Sequence, residues 1–150
     1  MKDFVYDFLS FSGINLKLSW LGDYLFWLSL ILSVPVRLVL IPDFQTHIIA
    51  NFNFLLNQLL LIAIPEEIFF RGFLMSLFAI ELKRKIFIFS YSNIAAAIVF
   101  SIFHLFIHDI LWSASVFIPA LVYGYFREKH DSVLPAVILH FFYNIVYFYI

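Results

Sequence analysis

Residues 59–80 read LLLIAIPEEIFFRGFLMSLFAI, an apolar run interrupted near its middle by Pro65, Glu66, Glu67 and Arg71. Hydrocarbon offers no hydrogen bonds to a peptide backbone, so a stretch of this kind must satisfy its own N–H and C=O groups, and a helix does so. Pro65 lacks a donor and crowds the preceding turn, which predicts a kink there, or two helices with Pro65 opening the second. The apolar segment around the run extends over 47–81. That is too long for one straight crossing, since about 35 residues at about 1.5 Å each would reach about 50 Å.

Four further apolar segments flank it, at 20–41, 86–107, 110–126 and 132–150. Five spans are too few strands for a barrel, and open sheet edges do not survive in lipid, so all are read as helices. With 64% hydrophobic residues, 13% charged residues and a mean hydropathy of +0.99, no stretch is left over for an aqueous domain. The expectation is therefore all-α: a polytopic transmembrane helix bundle of about five spanning segments, forming a single membrane-embedded domain over 1–150. The first ~15 residues are expected as an interfacial helix or frayed end. They lack a small-residue cleavage site before Gly13, which argues against a removable signal peptide. The absence of cysteine excludes disulfides, thiolate nucleophiles and cysteine-held metal. A net charge of −1 carries no signature of nucleic-acid binding. The 21 phenylalanines read as lipid-facing bias.

If the five segments alternate, Lys2, Lys17, Lys83, Arg84, Lys85, Arg127 and Lys129 share one side. The opposite connections, around Asp43 to His47 and at His108-Asp109, hold no lysine or arginine. The positive-inside rule then puts the N-terminus in the cytoplasm and the C-terminus outside, in a plasma membrane.

Glu66, Glu67, Arg71, His104, His140 and Asn144 lie within apolar segments. A charged group at a helix centre costs about 2.5–3.5 kcal/mol on insertion scales, so such residues face a bundle interior and pair with one another. Taken singly, a membrane histidine or asparagine is more often a structural contact between helices. Spacing adds content. Glu67 and Arg71 stand four apart with the acid first, the favourable order for an ion pair on one face. Glu66 is rotated by about 100° from Glu67 and is left less completely paired. In a dry cavity such a carboxyl group can take and return a proton, as a general base does. His140 and Asn144 share a face and present two groups able to donate to an oxyanion. Phe100 lies one turn below His104 on the same face.

Glu66-Glu67-Ile68-Phe69-Phe70-Arg71 resembles the EExxxR signature of the CAAX-processing and bacteriocin-processing intramembrane proteases. Phe100 to His104 resembles that family's FxxxH, and His140 to Asn144 its HxxxN, in the family's order, with Pro65 and Gly72 also matching its habit. The likeness covers roughly residues 57–147. It implies a metal-independent glutamic-type intramembrane protease. In that reading Glu66, helped by His104, would activate water. His140 and Asn144 would stabilise the oxyanion, and Glu67 and Arg71 would support the site. Tyr143 and Phe100 are candidates for substrate contact. The family has also been read as zinc-dependent, with Glu66, His104 and His140 as ligands, but Arg71 nearby disfavours a cation. Substrates would be membrane-associated proteins or peptides: a prenylated CAAX terminus, a leader, or a C-terminal sorting signal. The short chain favours a bacterial sorting type, with a cavity open to the outer face.

Two non-enzymatic readings stand beside this one: a bacteriocin-immunity or scaffold protein without turnover, and a proton- or ion-conducting subunit. The second needs a polar ladder across the membrane. Asn51, Asn53 and Gln58 extend a polar track one way, but little besides Arg71, Ser76 and Glu81 continues it toward Lys83. His47, His108 and His130 read as solvated, and Arg37 as snorkelling or pairing with Asp43. Trp20, Trp27, Trp112, Tyr143, Tyr147 and Tyr149 lie mostly near segment ends and read as interfacial belt residues.

Overall fold

The computed structural model describes residues 11–40 and 52–149. A 3-10 turn, Ser19–Gly22, leads into α1 (Tyr24–Leu40). The run 52–81 is a composite helix: α2 (Phe52–Asn57), a π-helical turn Gln58–Ala63, α3 (Ile64–Glu67), a second π-helical stretch Ile68–Leu74, and α4 (Met75–Glu81). A two-stranded antiparallel hairpin follows, β1 (Lys85–Ile86) paired with β2 (Phe89–Ser90). Then come α5 (Tyr91–His104), α6 (Ile110–Ser115), α7 (Phe117–His130) and α8 (Leu134–Tyr149).

The boundaries have local causes. The Ser90 hydroxyl accepts from the Asn93 N–H at 2.9 Å and caps α5, and the Asp109 carboxylate accepts from the Trp112 N–H at 2.9 Å and caps α6. Asp131 closes α7 in the left-handed region at φ 48°. Pro65 stands directly after the first π-helical turn, at the point where the composite helix returns to α geometry.

The all-α class holds, but the five-span bundle does not. Among the described residues one helix, Ile110–His130, is long and apolar enough to cross a membrane; it joins α6 and α7 into 21 residues. Most of its apolar stretch lies on the surface of the protein, with 28% buried inside it. The other segments fall short for identifiable reasons. The described part of α1, α5 and α8 have 17, 14 and 16 residues, or about 21–26 Å at 1.5 Å per residue against a hydrocarbon core of about 30 Å. The segment 86–107 loses its start to the hairpin and its end to the non-helical turn after His104. The run 52–81 stays helical but alternates α and π geometry and carries Glu66, Glu67 and Arg71 within it. With the five crossings goes the alternation on which the assignment of sides rested. Asp43, His47, Asn51 and most of the N-terminal stretch lie outside the described residues.

Three apolar clusters surround the polar residues. Trp20, Phe26, Leu30, Tyr123, Phe126, Ala136 and Leu139 join α1, α7 and α8, so Trp20 is a core residue and not part of an interfacial belt. Phe70, Ala97, Phe100 and Ala120 join the composite helix to α5 and α7, and Ala63, Val133 and Val137 join it to α8. α5 and α7 cross so closely that a Cβ on Gly124 would overlap the Asn93 carboxamide, whose Nδ2 donates to the Leu121 carbonyl at 3.0 Å. His130 is not solvated. Its Nε2 lies 2.9 Å from Asp23 Oδ2, and Lys129 Nζ lies 2.6 Å from the same oxygen, fastening the start of α1 to the end of α7. Burial pushes the Asp23 carboxyl up, but the Lys129 and His130 contacts outweigh it and hold the group below its ordinary value. Arg37 Nε donates to the Tyr147 carbonyl at 3.3 Å, with its guanidinium 5.5 Å from that ring.

Candidate active site

The spacing of Glu67 and Arg71 produces the expected pair, with Arg71 Nη1 2.8 Å from Glu67 Oε1 and both side chains buried. Arg71 Nη2 donates to the Ala120 carbonyl at 3.2 Å, and its guanidinium stacks 4.4 Å from Phe100 and 5.1 Å from Tyr123. A buried guanidinium needs this density of partners, because an unpaired ion away from water costs several kcal/mol. Arg71 belongs to the second π-helical stretch, and such turns displace side chains from regular helical register.

Both acids reach one imidazole. His140 Nδ1 lies 2.8 Å from Glu67 Oε1, and His140 Nε2 lies 3.9 Å from Glu66 Oε2. Glu67 Oε1 already accepts from Arg71, so Nδ1 is the donor, and in the neutral ring Nε2 then carries the lone pair toward Glu66. A proton placed on Nε2 makes an imidazolium held by Glu67. Glu66 Oε2 and Glu67 Oε2 are buried and have no hydrogen-bond partner among the described residues. Glu66 itself keeps about a third of its side-chain exposure, 33%, so a small reactant can approach it.

The remaining residues divide. The rings of Tyr123 and His140 stack at 5.2 Å and 12°, and Phe100 meets His140 edge-on at 6.0 Å, so the imidazole plane is held on two sides. Phe100 is 2% exposed; it packs the site and offers no open surface to a substrate. His104 joins through that ring, 4.5 Å away, and its Nδ1 lies 2.9 Å from the Phe100 carbonyl. Nδ1 is thereby the donor and Nε2 the free nitrogen. Among the described residues no hydrogen bond joins His104 to Glu66, His140 or Asn144. Exposed His108 stacks on His104 at 6.0 Å and extends the aromatic row outward. Asn144 is one turn along α8 from His140, and its Nδ2 donates to Gln58 Oε1 at 3.0 Å. Tyr143 donates to the Ser29 carbonyl at 3.1 Å, so its hydroxyl is committed to α1.

Sequence reasoning missed Gln58 and Tyr123. Gln58, buried at the start of the first π-helical turn, was one polar residue among several in a track. Its eight-residue separation from Glu66 on one helix was the available signal. Tyr123 in an apolar helix gave none. Among the described residues no three of His, Cys, Asp or Glu stand together as metal ligands. Nδ1 of His140 is taken by Glu67, and Arg71 places positive charge beside the acids. The zinc set Glu66, His104 and His140 is thus not assembled in this geometry.

No curated protein and no solved structure gave a match to the chain. Residues 48–146, about two thirds of the length, match the family described as type II CAAX prenyl endopeptidase Rce1-like. The matched stretch contains both acids, Arg71, both histidines and Asn144, and with the apolar helix Ile110–His130 it makes this a membrane-associated protein. The chain belongs to the Rce1-like family of type II CAAX prenyl endopeptidases.

Proposed function

We propose that this chain is a membrane endopeptidase that hydrolyses a peptide bond of a membrane-associated protein or peptide with a water molecule activated by Glu66. Glu66 takes a proton from water as the oxygen adds to the scissile carbonyl, then passes it to the departing amine, so no covalent intermediate forms. His104 Nε2 helps to orient the water. His140, held as a donor at Nε2 once protonated, and the second amide hydrogen of Asn144 receive the negative charge that develops on the carbonyl oxygen. Glu67 acts through His140 by fixing its ring, and Arg71 acts through Glu67 by holding that carboxylate in place.

The observation that carries this reading is the bracketing of His140 by two acids, one 2.8 Å from Nδ1 and the other 3.9 Å from Nε2. A helix-packing contact needs one carboxylate on a histidine. Here one carboxylate is fully buried and the other half-buried, and each has a buried oxygen left without a hydrogen bond among the described residues, which packing alone does not call for. The family name supports a substrate ending in a prenylated CAAX sequence. The basic end of the spanning helix, Arg127 and Lys129, supports a cytoplasmic position for that end in a plasma membrane.

The test is cleavage of a prenylated CAAX peptide by the chain in proteoliposomes, with release of the last residues read by mass spectrometry. Glu66→Gln keeps shape and hydrogen bonding but removes the base, and is expected to lower turnover about 10²–10⁴-fold in a folded protein. Cleavage at an undiminished rate would overturn the reading, and a chain indifferent to every substrate would point to an immunity or scaffold role.

A further inference from the structure

The hairpin β1–β2 carries a tip that no contact among the described residues explains. Lys85 pairs with Ser90 and Ile86 with Phe89, leaving Phe87 and Ile88 as a two-residue turn. Turns of this length favour Gly, Asn or Asp, because a residue there takes positive φ. Phe87 nevertheless sits at φ 54° and is 96% exposed, with Ile86 and Ile88 exposed beside it. A strained, solvent-facing aromatic on the wrong turn chemistry is compensated by no contact within the described residues. Directly before it stand Lys83, Arg84 and Lys85, all exposed and none in an ion pair among the described residues; Glu81 is the nearest acid in sequence.

The base of the hairpin fixes its height relative to the spanning helix. The Phe89 ring meets Tyr125 edge-on at 6.4 Å, and the Ser90 and Ser92 hydroxyls both turn to Glu128. Tyr91 N–H donates to the Arg84 carbonyl at 2.8 Å and ties the basic run to the start of α5. These contacts fall on the last turns of Ile110–His130, where Arg127, Lys129 and His130 close the helix. The charged end of a crossing helix lies among lipid headgroups, so the base of the hairpin, packed against that end, lies at that level.

We propose that the hairpin is a docking surface for an anionic bilayer leaflet, with Phe87 and Ile88 entering the acyl boundary while Lys83, Arg84 and Lys85 contact lipid phosphates. Charge complementarity selects the occupant. An apolar tip alone would enter any bilayer, but three exposed cations at its root, without an ion pair among the described residues, gain from a negative surface. Each basic contact is worth roughly a fivefold gain in the inserted population. The proposal is independent of the catalytic reading.

The chain has no cysteine, so Phe87→Cys, carrying a nitroxide, reports its site alone. In proteoliposomes, collision with oxygen and with a water-soluble nickel complex gives the depth of the label. Insertion is expected as oxygen access above nickel access at position 87, deepening when phosphatidylglycerol is added to phosphatidylcholine. A label at exposed Lys17 should stay accessible to nickel in both. Neutralising Lys83, Arg84 and Lys85 to glutamine should return the depth to its neutral-lipid value. Nickel access at 87 equal to that at 17 in both lipids would overturn the proposal. So would insertion with no response to phosphatidylglycerol, or protection from both reagents in either lipid, which would indicate a protein cover.

Discussion

Glu67 Oε1 lies 2.8 Å from Nδ1 of His140, joining the composite helix to α8, and the same oxygen is 2.8 Å from Arg71. One atom therefore sets the tautomer of the imidazole and neutralises a buried guanidinium. Removing it with Glu67→Ala strands Arg71 without its countercharge, and breaking one side of a buried pair costs about 3–5 kcal/mol. The expected outcome is a lower melting temperature in detergent and a shift of the His140 ring-nitrogen resonances, since Nδ1 loses its acceptor. Unchanged nitrogen resonances in a folded variant would show that Glu67 does not hold the ring.

A second prediction concerns the crossing of α5 and α7. Gly124→Ala drives a methyl group into the Asn93 carboxamide. Overpacking of this kind costs about 1–3 kcal/mol. The expected result is a reduced melting temperature that is partly restored in Gly124→Ala/Asn93→Ala, where the obstacle is gone. If the double variant melts below both single ones, the close approach is not the cause.

What the residues disclosed and what they hid follow from one distinction. Charged and polar residues in apolar runs must find partners, so their placement singled out Glu66, Glu67, Arg71, His104, His140 and Asn144; Glu67 joins Arg71 to His140, and Glu66 stands 3.9 Å from that ring. Hydropathy does not report backbone geometry. Ile86 to Ile88 are as apolar as a membrane helix yet form a hairpin, and Leu105 to Ile107 remain apolar after the helix has ended at His104. Counting apolar length therefore overstated the number of crossings. π-Helical turns have no sequence signature of comparable strength, so the register that brings Gln58 to Asn144 was hidden, as was the stacking of Tyr123 on His140.

The contact between α1 and the end of α7 predicts a pH response. Asp23 is held below its ordinary value, so the folded state binds its proton less readily than the unfolded chain does. Its contribution to stability is thus complete above the unfolded value of about 3.9 and is lost as pH falls through the lowered folded value. Thermal unfolding of the wild type and Asp23→Asn should differ near neutrality, and the two curves should converge on acidification below about pH 4. Divergence on acidification would show that the carboxylate is not stabilised by Lys129 and His130.

Metal dependence can be decided by removal. His140 Nδ1 is occupied by Glu67, and no three candidate ligands gather among the described residues. Dialysis against a chelator is expected to leave peptide cleavage unchanged, and added zinc to give no gain. Loss of turnover restored by zinc would revive Glu66, His104 and His140 as a ligand set.

Gln58 offers the sharpest test of how the site is held. Its Oε1 accepts from Asn144 Nδ2, which leaves the second hydrogen of that amide pointing elsewhere and keeps the carboxamide from rotating. Gln58→Leu retains the bulk but removes the acceptor, leaving a donor to find a new partner at a cost of about 1–3 kcal/mol. If that cost falls on the geometry of the transition state, turnover drops about tenfold while KM is little altered, because the interaction matters only once charge develops on the carbonyl oxygen. Gln58→Glu restores an acceptor and should recover most of the rate. A purely structural role would lower the melting temperature without separating kcat from KM. In an Asn144→Ala background Gln58→Leu should then have almost no further effect on kcat, since the group it positions is gone. Full additivity of the two substitutions would show that Gln58 acts on the helix and not on Asn144.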